Sequence, residues 1–284
     1  MLCAWKELLE ILPPRLRSAA DRQGRASLQE LRLRLQEPPE LVLREGTSFL
    51  EGLVSREDLQ FCVNAASRYS PWAAATTAKG FLTAPGGHRI GICGNVVCRD
   101  TGVTGFSEID SLCIRVARDF PGIAEKAGGL TGSMLILGAP GWGKTTLLRD
   151  LCRYISTRET VCVVDERGEV FPKGIRRGRR LDVLTGCPKT LGIEMLLRTM
   201  SPGYIAVDEI TAPEDCAALT RAAHCGVQLL ATAHGSSLKD LFGRRVYRAA
   251  VDHKLFQTVL LMGPDKTYTV ERMTPCTSNG SVRY

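Results

Sequence analysis

Short runs of alternating apolar and polar residues recur within the first 120 positions of the chain. In SLQELRLRLQEPPELVL, residues 27–43, Leu31, Leu33 and Leu35 alternate with polar residues, and a proline pair follows. A period of two predicts a strand with one buried face, then a turn and a return strand. GFLTAPGGHRIGICG predicts a second hairpin, with its turn at residues 85–87.

Two further elements complete this first half. Ser55, followed by Asp58 three positions later, predicts the start of a helix near Arg56. SLCIRVARDF places Leu112 and Ile114 on one face of another strand. The first half is therefore predicted to be an α+β module, and it carries no obvious catalytic residues.

The pattern changes after the turn-rich run FPGIAEKAGGLTGSM, residues 120–134. Continuous apolar runs, SMLILGAP, TVCVVDE, YIAVDEI and VQLLATAHG, now alternate with helical stretches. Such runs indicate a mostly parallel sheet covered by helices on both faces. We therefore predict an α/β fold with a smaller α+β domain over residues 1–122, an α/β domain over 123–274 and a flexible tail over 275–284.

The amino-acid composition excludes few classes of binding partner. The 284 residues carry a net charge of +7, which suits nucleic acid, anionic lipid, an acidic partner or a merely solvated surface. Eleven cysteines without paired spacing indicate reduced, mostly buried thiols in a cytosolic protein. No apolar run reaches the roughly 18–20 residues of a membrane span, so we expect any membrane contact to be peripheral.

The stretch GAPGWGKT fits the pattern G-x-x-x-x-G-K-[ST] between a strand and a helix. Main-chain N–H groups of such a loop face phosphates, and the helix dipole adds to their attraction. Lys144 is predicted to reach the β- and γ-phosphates, Thr145 to ligate Mg²⁺ and Thr146 to bond a neighbouring phosphate. The predicted nucleotide-binding residues are Gly138, Ala139, Pro140, Gly141, Trp142, Gly143, Lys144, Thr145 and Thr146. The Trp142 side chain is expected to point away from the phosphates.

Polar residues follow three of the apolar runs. Asp208 is predicted to hold Mg²⁺ through water and Glu209 to act as the general base, although Glu209 could instead cap the next loop. His234 is predicted to sense the γ-phosphate. Glu166 either orients water or Mg²⁺ as a catalytic residue, or pairs with the basic loop Arg176–Arg180, whose role is left open.

Taken together, GAPGWGKTTLLRDL, VVDERGEV, RRLDVLTGCPK, LLRTMSPGYIAVDEI and ATAHGSSLKDL resemble the stage III sporulation protein AA family of spore-forming bacteria. That family belongs with the type II and type IV secretion ATPases. LQELRLRLQEPPEL and LCIRVARDFPG extend the resemblance into the first half. Thr211 and Ala212 depart from it, since the family pattern favours glycine and then a polar residue.

The resemblance implies a RecA-like P-loop ATPase core that uses ATP and Mg²⁺ and assembles as a homo-oligomeric ring, expected to be a hexamer. Arginines of such rings approach the γ-phosphate, so Arg115, Arg118 and Arg198 are candidate arginine fingers or else salt-bridge partners. It also implies a cytoplasmic protein at the cytosolic face of a membrane channel complex, on the mother-cell side, which powers or assembles that channel towards the forespore. A nucleic-acid-stimulated ATPase and a nucleotide-dependent scaffold with little turnover remain as alternatives.

Overall fold

The computed structural model describes residues 1–67, 77–78, 80–99, 102–127, 129–172 and 174–273. The chain divides into two compact units. The N-terminal unit is Met1–Asp119 with Pro172–Ile175, and the C-terminal unit is Phe120–Phe171 with Arg176–Tyr284. The domain boundary at residue 122 stays a prediction, and the predicted tail lies outside the described residues.

The N-terminal unit contains a six-stranded antiparallel sheet in the order β3-β2-β1-β6-β5-β4. Its strands are β1 Leu28–Arg34, β2 Glu40–Leu43, β3 Gly46–Phe49, β4 Phe81–Thr83, β5 Arg89–Arg99 and β6 Gly102–Arg115. Among the described residues of this unit, the longer α-helices are α1 Trp5–Glu10, α2 Pro14–Ser27 and α3 Arg56–Ser67. One apolar cluster joins helices and sheet, and Leu31, Leu33 and Ile114 are buried in it.

The predicted turns and cap of this unit are present. The pairs β1–β2 and β4–β5 are the two predicted hairpins. The Asp58 N–H donates to Ser55 Oγ, and the Ser55 N–H donates to Asp58, so the pair caps α3 in both directions. The sequence pattern did not predict α2, which begins at Pro14, because proline suits the first helical position as well as it ends a helix.

Beyond the sheet, β5 and β6 continue as a two-stranded ribbon. Three register shifts interrupt their pairing between Cys93 and Cys98. Val96, Val97 and Val103 are 49%, 38% and 43% exposed, so the ribbon buries little of its apolar surface.

The C-terminal unit contains a seven-stranded sheet in the order β13-β12-β7-β11-β10-β8-β9, parallel except for the β12–β13 pair. Its strands are β7 Met134–Gly138, β8 Val161–Asp165, β9 Leu181–Thr185, β10 Tyr204–Val207, β11 Gln228–His234, β12 Thr258–Met262 and β13 Tyr268–Arg272. Its α-helices are α4 Lys144–Ile155, α5 Lys189–Thr199, α6 Pro213–His224, α7 Leu238–Gly243 and α8 Arg248–Asp252. Every residue of β7, β8 and β10 is buried, as continuous apolar runs require.

The structure tests the prediction of mostly buried thiols, and it also gives the lengths of the helices. The ten cysteines among the described residues are free, but only Cys62, Cys152, Cys162 and Cys216 are buried. The prediction of mostly buried thiols is therefore wrong for this part of the chain. Within the described residues, no helix combines the length and apolar character needed to cross a membrane.

Candidate nucleotide-binding site

The carboxyl ends of the parallel strands bring the main predicted residues to one edge of the sheet. The phosphate loop, residues 138–146, follows β7, and Asp208 and Glu209 follow β10. His234 is the last residue of β11, which pairs with β7 so that His234 lies opposite Gly138. This is the edge at which open α/β sheets bind their ligands.

Three glycines of the phosphate loop are required by its geometry. Gly141 and Gly143 have φ angles of +79° and +96°, which residues with a Cβ atom rarely adopt. A Cβ on Gly138 would lie 2.8 Å from the Met262 Cβ. The loop is therefore a close-wound backbone cradle leading directly into α4, and its shape fits phosphate.

Lys144 is the first residue of α4 and is buried, with 6% of its surface exposed. Its Nζ lies 3.2 Å from the Ala139 carbonyl oxygen and 3.1 Å from His234 Nδ1. Burial lowers the pKa of Lys144, while the carboxylates of Glu209 and Asp208 oppose that shift. The ammonium group is thus held in the loop by neutral acceptors that a phosphate could replace.

His234 links Lys144 to Glu209. Its Nε2 lies 2.6 Å from Glu209 Oε1, and its Nδ1 faces the Lys144 ammonium. Because an ammonium group can only donate, Nδ1 must accept, and the ring proton is assigned to Nε2, which donates to Glu209. A continuous hydrogen-bonded chain therefore joins Lys144, His234 and Glu209.

Asp208 is a half-buried carboxylate beside the loop. Its Oδ1 accepts from the Glu209 N–H at 3.0 Å, from Thr232 Oγ1 at 3.3 Å and from Thr145 Oγ1 at 3.4 Å. Burial raises the pKa of Asp208, Glu169 and Asp165 raise it further, and the Glu209 and Thr232 hydrogen bonds oppose the rise. A cation would favour its charged form.

The donor set fits Mg²⁺ better than a transition metal. In the described part of the chain, no three His, Cys, Asp or Glu residues cluster as a metal site. Mg²⁺ is commonly held by one or two protein oxygens, with water and substrate phosphates completing its shell. Thr145 and Asp208 supply a hydroxyl and a carboxylate of this kind.

Glu166 lies at the same edge and has an ion-pair partner. A cleft beside Asp208, called here the carboxylate cleft, is lined by Thr145, Val164, Glu166, Arg167, Glu169, Lys189, Asp208, Glu209 and Thr211. Glu166 Oε2 lies 3.1 Å from Lys189 Nζ, at the start of α5. Among the described residues, the ion-pair partner of Glu166 is thus Lys189 and not an arginine of the basic loop. Its neighbour Asp165 accepts from the N–H groups of Glu169 and Phe171 and so shapes the turn.

The three candidate arginine fingers have different surroundings. Arg115 pairs with Glu30 at 3.2 Å, and Arg118 donates to Gln29 and to main-chain carbonyls, all within the N-terminal unit. Arg198 is exposed in the last turn of α5. It lies nine residues beyond Lys189, or about 14 Å along the helix axis. Arg198 therefore lies at the end of α5 away from Lys189 and the carboxylate cleft.

Two residues that the sequence patterns did not single out also contact this edge. Lys189 bridges Glu166 and the Asp215 carboxylate, the latter at 3.6 Å. A lysine at a helix N-terminus opposes the helix dipole, which is a signal the sequence did offer. Tyr247 hydrogen-bonds the main chain of His234, and nothing in the sequence indicates that contact.

The remaining predicted positions are less tightly bonded. Trp142 is half-buried, and its main-chain N–H donates to the Ala139 carbonyl at 3.4 Å. Thr146 is half-buried in the first turn of α4. In the basic loop, the Arg176 carbonyl accepts from Arg153, and Arg180 donates to the Arg158 carbonyl. The arginines of that loop are exposed.

A phosphate loop after a buried strand, with a carboxylate pair at the end of a neighbouring parallel strand, defines a P-loop NTPase fold. The fold is similar to that of the pilus retraction motor PilT solved with ADP, with a TM-score of 0.62, 13% identity and coverage of 98% of this chain and 84% of that one. It is also similar to the Legionella pneumophila ATPase DotB, with a TM-score of 0.53, 16% identity and coverage of 89% and 78%. The chain therefore has a RecA-like α/β core with the fold of these two proteins, preceded by a smaller α+β unit.

The family follows from the sequence as a whole. The model of the family described as sporulation stage III, protein AA matches residues 5–272, and the chain belongs to that family. It is 36% identical over 274 residues, 89% of each chain, to stage III sporulation protein AA of Bacillus subtilis (strain 168). It is also 29% identical over 249 residues to the uncharacterized protein ycf45 of Porphyra purpurea, covering 83% of this chain and 41% of that protein.

Proposed function

We propose that the protein is a Mg²⁺-dependent ATPase. The observation that carries the proposal is the chain of contacts from Lys144 through His234 to Glu209, beside the Thr145–Asp208 contact. This path joins a candidate phosphate-binding ammonium group to a candidate general base, which supports the proposal. A loop that only joined a strand to a helix would need neither.

The residues would divide the reaction as follows. The main-chain N–H groups of residues 138–146 and the Lys144 ammonium bind the phosphates, and Thr145 and Asp208 hold the metal. Bound Mg²⁺ would neutralise charge on the phosphate oxygens. Glu209 accepts a proton from the attacking water, and His234 holds the Glu209 carboxylate through Nε2–H.

We also propose that the chain acts as a ring, with a hexamer as the expected size, at the cytosolic face of a membrane complex formed during sporulation. Membership of the sporulation family and the secretion-ATPase fold support this role. In that setting, ATP hydrolysis would power or assemble a channel between the mother cell and the forespore.

The first test is the substitution Glu209→Gln. Turnover is expected to fall by about 10²- to 10⁴-fold, since the amide cannot accept the proton, while affinity for ATP stays within about twofold. ATP hydrolysis and binding of a fluorescent ATP analogue measure the two effects. The matched control is Glu214→Gln at the exposed start of α6, which should behave like the wild type. Full turnover in Glu209→Gln, or a wild type that binds ATP without turning it over, would contradict the proposal.

A further inference from the structure

Tyr247 is a buried tyrosine whose hydroxyl contacts both main-chain groups of one residue. The hydroxyl accepts from the His234 N–H at 3.0 Å and donates to the His234 carbonyl at 3.3 Å. Tyr247 is 4% exposed, and burial raises the pKa of its phenol. The hydroxyl therefore stays protonated and able to donate.

These main-chain groups of His234 lie where the sheet ladder ends. Strand β10 pairs with β11 only as far as Val207, opposite Ala231. The Thr232 carbonyl still accepts from the Ile210 N–H, at 2.8 Å. Alternate residues of a strand direct their main-chain groups to the same side, so those of His234 point where β10 no longer runs. The Tyr247 hydroxyl takes the place of the missing strand.

Tyr247 is attached to a short, internally bonded segment that follows His234. Ser237 caps α7 by accepting from the Asp240 N–H, and Asp240 accepts from the Ser236 N–H. Arg244 then pairs with Asp240 through two contacts of 2.9 and 3.0 Å. The segment closes on itself at His234, and the ring of Tyr247 packs in the apolar core.

We propose that Tyr247 is a positioning residue of the hydrolysis site. By fixing the His234 main chain, its hydroxyl keeps the imidazole between Lys144 and Glu209. The inference rests on the proposed ATPase function and assigns it a residue 13 positions beyond His234. Tyr247 touches neither nucleotide nor water in this role, and it acts through His234 alone.

The test is Tyr247→Phe in the full chain, which removes the hydroxyl and keeps the packed ring. The matched control is Tyr204→Phe, another buried tyrosine, whose hydroxyl accepts from the Gly132 N–H at the opposite edge of the same sheet. We expect kcat to fall about tenfold in Tyr247→Phe, because small displacements of a catalytic group are costly, with KM within twofold. Tyr204→Phe should keep the wild-type kcat.

Hydrogen–deuterium exchange gives a readout that does not depend on turnover. The peptide containing His234 should exchange faster in Tyr247→Phe, and peptides of the N-terminal unit should be unchanged. An unchanged kcat, or equal losses of kcat in both variants, would overturn the positioning role. If the wild type shows no turnover, the proposed ATPase function is wrong, whatever Tyr247 does. Unchanged hydrogen exchange at His234 in Tyr247→Phe would show separately that the Tyr247 hydroxyl does not hold the His234 main chain.

Discussion

His88 shows how one residue can make the N-terminal unit sensitive to pH. The side chain is fully buried, its Nδ1 accepts from the Ala117 N–H at 3.0 Å, and its Nε2 lies 2.8 Å from the Ala4 carbonyl oxygen. Both contacts are satisfied only by the neutral ring with its proton on Nε2. Burial lowers the pKa of His88, nearby Arg118 lowers it further, and Ala4 and Glu7 oppose the shift.

This contact predicts a loss of stability at mildly acidic pH. The imidazole of His88 has a pKa of about 6.5 in the unfolded chain. Below that pH the unfolded chain binds a proton there, whereas the folded chain keeps the ring neutral until its own, lower pKa is reached. The contribution of His88 is therefore present above that pH and decreases as the pH falls towards the lowered folded pKa. The fall in the urea midpoint between pH 7.5 and pH 5.5 should be smaller in His88→Gln than in the wild type. His253→Gln, at an exposed histidine, is the control. Equal falls in wild type and His88→Gln would refute the prediction.

The main residues of the candidate site could be placed from sequence because Asp208 and His234 directly follow or end apolar runs, and Lys144 belongs to a loop motif that follows another. Parallel strands deliver their carboxyl ends to one edge, so Lys144, Asp208 and His234 were expected together. Tyr247 could not be placed in this way. It reaches His234 through the folding of a 13-residue segment, and that closure depends on packing rather than on a local pattern.

The junction of β7, the phosphate loop and β12 is a tightly packed element of the C-terminal unit. Gly138 ends β7 where Met262 ends the neighbouring strand β12. Met262 is 3% exposed, and its Cβ leaves no room for a side chain at position 138. The first glycine of the loop is therefore fixed by the strand beside it as well as by phosphate binding.

Gly138→Ala is expected to weaken nucleotide binding at least about tenfold. Overpacking costs about 1–3 kcal/mol, and the loop can relieve the collision only by moving its main-chain N–H groups. Isothermal titration with ATP and Mg²⁺ measures the change. Gly129→Ala is the control, since a Cβ there would meet no atom within 4 Å. ATP affinity equal to that of the wild type in Gly138→Ala would show that the loop tolerates the shift.

The elements that the sequence predicted are those with a strong local period or a buried run. The strands β7, β8, β10 and β11 fall in this class, as does the capped start of α3. The edge strand β9 was missed because only Leu181 of its five residues is buried, so its sequence carries no clear pattern. In β13 no residue is buried, for the same reason.

At the scale of the whole molecule, the positions of Arg198 and Glu209 suggest how copies of the chain would meet in the proposed ring. Arg198 is exposed at the end of α5 remote from the carboxylate cleft. An exposed arginine at that end of the helix is a candidate to approach a γ-phosphate bound by another copy of the chain. We therefore propose that Arg198 completes the site of a neighbour in the ring.

Mixing two inactive variants tests this proposal. Arg198→Ala alone should lower turnover by about 10³-fold or more, the usual contribution of an arginine finger. Equal amounts of Arg198→Ala and Glu209→Gln should recover part of the activity, because some sites combine an intact glutamate with an intact arginine. Arg221→Ala, at a surface arginine paired with Glu194 in the same unit, is the control. Failure of the mixture to recover turnover, or full activity in Arg198→Ala, would exclude Arg198 as the arginine that acts between chains.

The ribbon formed by β5 and β6 carries a hazard that its irregularity offsets. In the described residues, the outer parts of the two strands pair only with each other, so each presents one open edge to the surroundings. Open edges bearing valines invite aggregation, because strands of other molecules can add to them. Register shifts of this kind increase the local twist of paired strands, and three of them interrupt the ribbon. Gly94 also lies against the Glu108 carbonyl, where no side chain fits. Removing a bulge would thus make the pairing of the two strands more regular, but it would also make the protein more prone to aggregate.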